Sequence, residues 1–439
     1  MRHCTGVVES ITVFLGAVIG GLALATPITL AWARGATTLE MELAAHSLPR
    51  ATAIGCVVAV VVAVFVSTAD SPMVAWLIAL AAMTALLVNH LLGRGFAAIA
   101  PLSTLNYIDS MAGGALLGGL LAAVPLPSFS AAAGALGALT SIVLGDMSGA
   151  RYERPARPSA WFVAEPLSLW LLGPATLLVV VCALRNRRPR LPRVIAVELP
   201  LRPIVAVLAV MTVTLGGSEW LARHGSSPSA VALVAVGTVA VAAVAALLLP
   251  DRDGVLVLLA TAVAAAGGAI VLTPLSMWTV PLLFGATVGG MVLGTQWPHP
   301  MVALGVLGAL GLFGALTAVP RETPVAAAGT AGMALAVVTG YCFTSAVSGY
   351  SPSLVLAIGT LFVPGVVVAV RARVFGGPLD APPRDSDPGL LLRAAPGLTA
   401  VFVTVGCAFA ITLLYRLREP ESARSEGPAQ SGGAAPAPG

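Results

Sequence analysis

Long apolar windows separated by short polar punctuation recur along the whole chain. They run at about 11–33, 51–68, 73–91, 107–127, 129–146 and 164–184, then 204–222, 229–249, 254–273, 277–295, 300–318 and 325–346, and finally 353–372 and 396–416. A window of roughly 20 apolar residues matches the hydrocarbon thickness of a bilayer when it is helical. The breaks hold Pro, Arg, Asp or polar clusters, which end helices at the water interface. The pattern therefore predicts an all-α, polytopic transmembrane bundle of about 12–14 spans. It divides the chain into a six-helix half (1–190), a second six-helix half (191–350), two additional transmembrane helices (351–416) and a disordered Ser/Gly/Pro/Ala tail (417–439). The stretch 93–106 is apolar but holds Arg94 and Pro101. It reads either as a re-entrant piece or as a further span, which would invert the first half.

Composition supports the bilayer. The chain is 58% hydrophobic and only 10% charged, whereas soluble domains carry about 25% charged residues. So little charge does not cover a water-facing surface. Every basic residue is Arg, and Ala, Val, Gly and Pro abound, which fits a GC-rich genome and a bacterial plasma membrane. Net charge is +4, but scattered Arg at helix ends is ordinary for a multi-span protein and gives no reason to expect nucleic acid. Five of the nine residues from Arg185 to Arg193 are Arg, so that loop is placed in the cytoplasm, and the N-terminus with it. Arg151, Arg154 and Arg157 resist this count by falling outside. The five cysteines lack metal or CxxC spacing, and Walker, HExxH and Gly-x-Ser-x-Gly motifs are missing from the sequence. No cofactor, no metal and no enzymatic activity are expected.

Ala51–Ser67, Asp70 and Met73–Leu91 can be laid over Ala232–Leu249, Asp251 and Gly254–Val271 with the two Asp residues in register. In each, two apolar segments flank a short turn holding an Asp. The second turn reads Leu-Pro-Asp251-Arg252-Asp253-Gly254. There the chain resembles the major facilitator superfamily, which carries an Asp-Arg-x-Gly core in the cytoplasmic turn between its second and third helices. Leu247 replaces the leading Gly of that motif, and Val255 and Leu256 replace its trailing basic residues; in the first half only Asp70 remains. The resemblance implies a secondary transporter of two six-helix halves that moves a small, amphiphilic molecule by alternating access, with proton-coupled export. It makes Asp70, Asp251, Arg252 and Gly254 gating-turn candidates, beside the simpler reading of Asp251 as a helix cap. The alternative class is a non-transporting membrane subunit of a secretion or cell-envelope assembly.

Ionisable groups inside spans are costly and usually functional, and this chain has few. Asp109 and Arg94 read either as a buried pair facing a cavity or as interfacial residues, with Asn89, His90 and Asn106 nearby. Glu219, followed by Trp220, reads as a buried proton carrier or as part of the outer aromatic belt. Tyr341 and Ser345 lie four residues apart on one helical face and either line a polar pocket or hydrogen-bond between helices. Small-xxx-small pairs at Gly16/Gly20, Gly114/Gly118, Gly285/Gly289 and Gly290/Gly294 predict close helix contacts. The loop 34–50, with Thr37 and Glu40 spaced as a capping box, predicts a short interfacial helix.

Overall fold

The computed structural model describes residues 2–26, 38–69, 71–96, 102–149, 169–186, 200–224, 227–250, 253–270, 279–318, 325–346, 349–375 and 390–418. The described residues contain fifteen helices: α1 Arg2–Ala25, α2 Thr38–Ala69, α3 Pro72–Phe96, α4 Leu102–Ala123, α5 Phe129–Gly149, α6 Leu169–Arg185, α7 Leu201–His224, α8 Pro228–Leu248, α9 Asp253–Ala269, α10 Thr279–Gln296, α11 Pro300–Thr317, α12 Val325–Ser345, α13 Ser351–Phe362, α14 Val366–Phe375 and α15 Leu390–Leu417. Ten stretches are long and apolar enough to cross a membrane, one of them being α13 and α14 taken together, and three more helices are apolar but shorter. The protein is thus an all-α, multi-pass membrane protein. Each apolar window of the sequence carries a helix. The capping-box segment is the start of α2, which runs on through Pro49, rather than a separate interfacial helix. The stretch 93–106 is divided between the end of α3 and the start of α4.

Packing sorts these helices into two bundles. In the first, α2 lies along α4, α1 along α5, and α3 along α6; α4 also meets α1 and α3, and α1 meets α6. The same pairs recur later in the chain. There α10 lies along α12, α9 along α13, and α11 along α15; α12 also meets α9 and α11, and α9 meets α15. Contacts between the bundles obey the same correspondence: α2 meets α13 while α10 meets α5, and α4 meets α13 while α12 meets α5. Exchanging the bundles therefore reproduces these pairs, whereas α1–α13 and α9–α11 have no exchanged counterpart. The pair α7–α8 has no counterpart in the first bundle; α7 packs on α2 and α14, and α8 on α9 and α15.

Three apolar cores follow. One fills the first bundle around Trp76, Leu116 and Leu120. One fills the second around Leu258, Leu307 and Ile411. The third joins them, with Cys56, Val60, Leu117, Val257 and the whole of α13 from Leu354 to Ile358. Helices α9 and α13 are apolar all round and buried on nearly every side, as expected for a helix enclosed by others.

Glycine sets the tightest contacts. A Cβ on Gly114 would lie 1.9 Å from the carbonyl oxygen of Gly55, and one on Gly118 would lie 2.2 Å from that of Ala59, both across α2–α4. The equivalent pair α10–α12 is built alike: a Cβ on Gly290 would meet Val337 O at 1.9 Å, and one on Gly340 would meet Thr287 O at 2.1 Å. Gly16 and Gly20 face Leu120 and the Gly113 carbonyl, whereas Gly285 and Gly289 face open space. Three of the four small-residue pairs thus pack helices and the fourth does not.

Arginines close several helix ends. Arg418 donates to the Ala246, Leu247 and Leu249 carbonyls at the end of α8. Arg373 does the same for Leu221 and Ala222 at the end of α7, and Arg371 for Ile270 just beyond α9. These carbonyls have no partner within their own helices, and a cation there also complements the helix dipole.

Substituting Gly114 or Gly290 with Ala is expected to destabilise the detergent-solubilised protein by about 1–3 kcal/mol, because neither backbone can retreat without unpacking its bundle. Gly285→Ala should be neutral or slightly stabilising through helix propensity. Thermal unfolding followed by loss of the monodisperse gel-filtration peak measures the contrast.

Candidate functional site

Among the described residues, the most deeply buried carboxyl group is held between α3 and α4. Leu86, Asn89 and His90 lie on adjacent turns of α3; Leu105, Asn106, Asp109 and Ser110 lie on α4. Asp109 is 1% exposed, and Asn89, His90, Asn106 and Ser110 are buried with it. Asn89 Nδ2 donates to Asp109 Oδ1 at 2.7 Å and reaches the Leu105 carbonyl at 3.3 Å. This double donation fixes the amide and aims it at a single carboxylate oxygen. His90 Nδ1 is 3.0 Å from the Leu86 carbonyl and 3.7 Å from the same Oδ1. A carbonyl only accepts, so Nδ1 carries the proton. Asp109 Oδ2 has no hydrogen-bond partner, and neither has Ser110 Oγ beside it.

An ionised Asp109 in this setting carries half its charge on an oxygen without a donor, surrounded by apolar helices. That arrangement is costly, and a proton on Oδ2 relieves it. The cluster has what a proton site needs: an oriented carboxyl, a free oxygen to protonate and a histidine close enough to sense the charge.

The other sequence candidates lie elsewhere. Arg94 is on α3, one turn beyond His90, with its side chain outside the described residues. Glu219 on α7 forms a bidentate ion pair with Arg50 on α2, at 2.7 Å from Nε to Oε1 and 2.9 Å from Nη2 to Oε2. Both side chains are partly exposed, and Trp220 stacks on His224 alongside. This is the interfacial arrangement of the two readings, and it ties α7 to the first bundle. No sequence signal marked Arg50 as the partner, because 169 residues separate the two.

Tyr341 and Ser345 face the second bundle's own turns. Tyr341 hydroxyl donates to the Trp297 carbonyl and accepts from the His299 amide at 3.0 Å, closing the α10–α11 turn. Ser345 Oγ bonds back to the Cys342 carbonyl. Gly254 lets α9 approach α8, since a Cβ there would lie 2.3 Å from the Ala246 carbonyl. Asp70, Asp251 and Arg252 lie outside the described residues. Asp253, next in that turn, accepts from the Gly349 amide at 3.1 Å and so joins α9 to the turn before α13. Among the described residues, no group of three or more His, Cys, Asp or Glu is placed to hold a metal ion.

No family model and no curated protein matches the chain. Among solved structures it is similar to a double tryptophan mutant of XylE, at 14% identity and a TM-score of 0.47, over 94% of this chain and 96% of that one. It is likewise similar to the major facilitator superfamily proton:xylose symporter XylE bound to 6-bromo-6-deoxy-D-glucose, at 13% identity and a TM-score of 0.48 over the same shares.

The Arg50–Glu219 pair generates a prediction. Glu219→Gln is expected to cost less than about 1 kcal/mol, as exposed ion pairs do. The reciprocal swap Arg50→Glu with Glu219→Arg should recover most of that loss. A double-mutant cycle of thermal unfolding in detergent, at low and high salt, measures it.

Proposed function

We propose that this chain is a secondary transporter working by alternating access, with Asp109 as its proton site. One observation supports the reading above all: the main helix pairs of α1–α6 recur in α9–α15, and the contacts α2–α13 and α4–α13 between the bundles are matched by α10–α5 and α12–α5. Two like bundles meeting across a pseudo-twofold axis along the membrane normal form the architecture on which rocking carriers run, with a substrate path between them. In this reading the repeat units are 2–185 and 253–417, and α7–α8 is a pair inserted between them. The expected boundaries at 190 and 350 shift accordingly, and the last spans belong to the second unit instead of being appended to it. The offset that aligns 51–91 with 232–271 is then not the repeat, since α2 and α3 correspond to α10 and α11. The resemblance at Asp251 therefore sits at the end of the inserted pair.

The surface between the bundles is apolar, formed by residues such as Cys56, Leu117 and Ile358. It favours a small amphiphilic molecule over a sugar or an ion. Binding through apolar contact leaves the energy source to the proton at Asp109, and export against a gradient then follows from proton entry. The inner membrane of a bacterium supplies that gradient.

In proteoliposomes with an imposed pH gradient, the wild type is expected to drive lipophilic-cation efflux, followed by ethidium fluorescence. Asp109→Asn should reduce the gradient-driven component at least about tenfold, while Asn89→Ala should shift its pH dependence without abolishing it. Unchanged coupling in Asp109→Asn overturns the proton assignment. Absence of any gradient-driven movement in the wild type, across a panel of amphiphiles, favours the non-transporting subunit instead.

A further inference from the structure

A second polar place lies outside the proton cluster, lined by none of its residues. Between the inserted pair and the second bundle is a cavity of about 30 Å³ open to the centre of a water-sized sphere. Such a volume admits an ion with a water, and no organic substrate. Its wall carries four threonines from four helices: Thr214 of α7, Thr238 of α8, Thr261 of α9 and Thr360 of α13. The remaining lining is Val, Ala and Gly, with no ionisable side chain.

The hydroxyl protons of three of these threonines point away from the cavity's contents. Thr238 donates to the Val234 carbonyl at 2.8 Å, Thr261 to Val257 at 2.8 Å and Thr360 to Ala357 at 2.7 Å. Each oxygen keeps its lone pairs while its one proton is committed, so what it offers a guest is an acceptor. The chain adds a second kind of oxygen, a main-chain carbonyl. The helix breaks just here, at Val363-Pro364-Gly365 between α13 and α14, with Val363 in an extended conformation. Pro364 has no N–H, so the Thr360 carbonyl loses the donor that a continuous helix would supply. Val363 and Gly365 both line the same cavity. The α13 C-terminus, the negative end of its dipole, is directed at this break.

A guest that suits three acceptors with committed protons, a Thr214 hydroxyl free to turn its lone pairs inward, and no counter-charge is a cation of low charge. Divalent ions demand carboxylates or a retained water shell, and none of the lining side chains is a carboxylate. Broken helices whose freed carbonyls meet hydroxyl oxygens are how membrane carriers dehydrate sodium. We infer that the threonine-lined cavity between α7–α8, α9 and the α13–α14 break is a binding site for a sodium-sized monovalent cation. Its occupant ties the inserted pair to the second bundle through oxygen contacts from α7, α8, α9 and α13. The site is independent of Asp109, which lies in the first bundle.

The test uses the full chain in lipid nanodiscs, with ²²Na⁺ binding by scintillation proximity and thermal unfolding at constant ionic strength. Sodium, replaced stepwise by N-methyl-D-glucamine, is expected to give saturable ²²Na⁺ binding and a saturable rise in unfolding temperature. Thr238→Val and Thr360→Val keep the shape but remove an acceptor, and each should raise the half-saturating sodium concentration about tenfold or more. Thr238→Ser restores the oxygen and should restore the response. If the valine variants do not fold, ²²Na⁺ binding to the wild type and to Thr238→Ser still decides. The inference is overturned if the wild type shows no saturable sodium binding, if N-methyl-D-glucamine raises the unfolding temperature as sodium does, or if folded valine variants bind sodium as the wild type does. Asp109→Asn should leave sodium binding unchanged, so failure here and failure of the proton reading are told apart.

Discussion

Everything in this molecule depends on backbones meeting without side chains between them. Inside a bilayer, apolar side chains gain little by leaving lipid for protein, so helices associate through close van der Waals contact instead of hydrophobic expulsion. At Gly55 and Gly114, α2 and α4 touch main chain to main chain. At Gly290, Gly340 and the carbonyls they face, α10 and α12 do the same. These two seams are equivalent in the two bundles, and the other helices are arranged around them. The repeat is therefore carried by where glycines fall more than by any shared motif.

The second constraint is the near absence of charge, which the fold manages helix end by helix end. Arg371, Arg373 and Arg418 each close the carbonyl end of another helix. Arg50 and Glu219 neutralise one another at an interface. What remains inside the first bundle is Asp109, supported by one amide and lacking a donor on its second oxygen. Among the described residues that oxygen is the one buried carboxylate oxygen without a hydrogen-bond partner, and an acceptor of that charge left bare is informative.

The elements were legible in the sequence because apolar length is a strong signal; each window from 11–33 to 396–416 holds a helix. Their partnership was not. An Ala/Val-rich helix can be laid over any other, so the alignment of residues 51–91 with 232–271 carried little weight, and packing relates α2 to α10 instead. Asp109 stood out as an ionisable residue in an apolar run, and Asn89 and His90 were visible nearby. That Asn89 rather than Arg94 is the group described at Asp109 depends on side-chain direction between two helices, which spacing does not encode. Thr214, Thr238, Thr261 and Thr360 gave no signal, since each is an unremarkable hydroxyl in its own helix and they gain meaning only by meeting.

The break between α13 and α14 has one more consequence. Its first piece belongs to the core shared by both bundles, and its second to the core of the later bundle alone. A continuous helix there would be a rigid lever fixed in two bodies, so turning one body would strain the other. Two short rods joined at Val363-Pro364-Gly365 form a knuckle instead, so any turn of one body against the other would bend three residues and leave both rods straight.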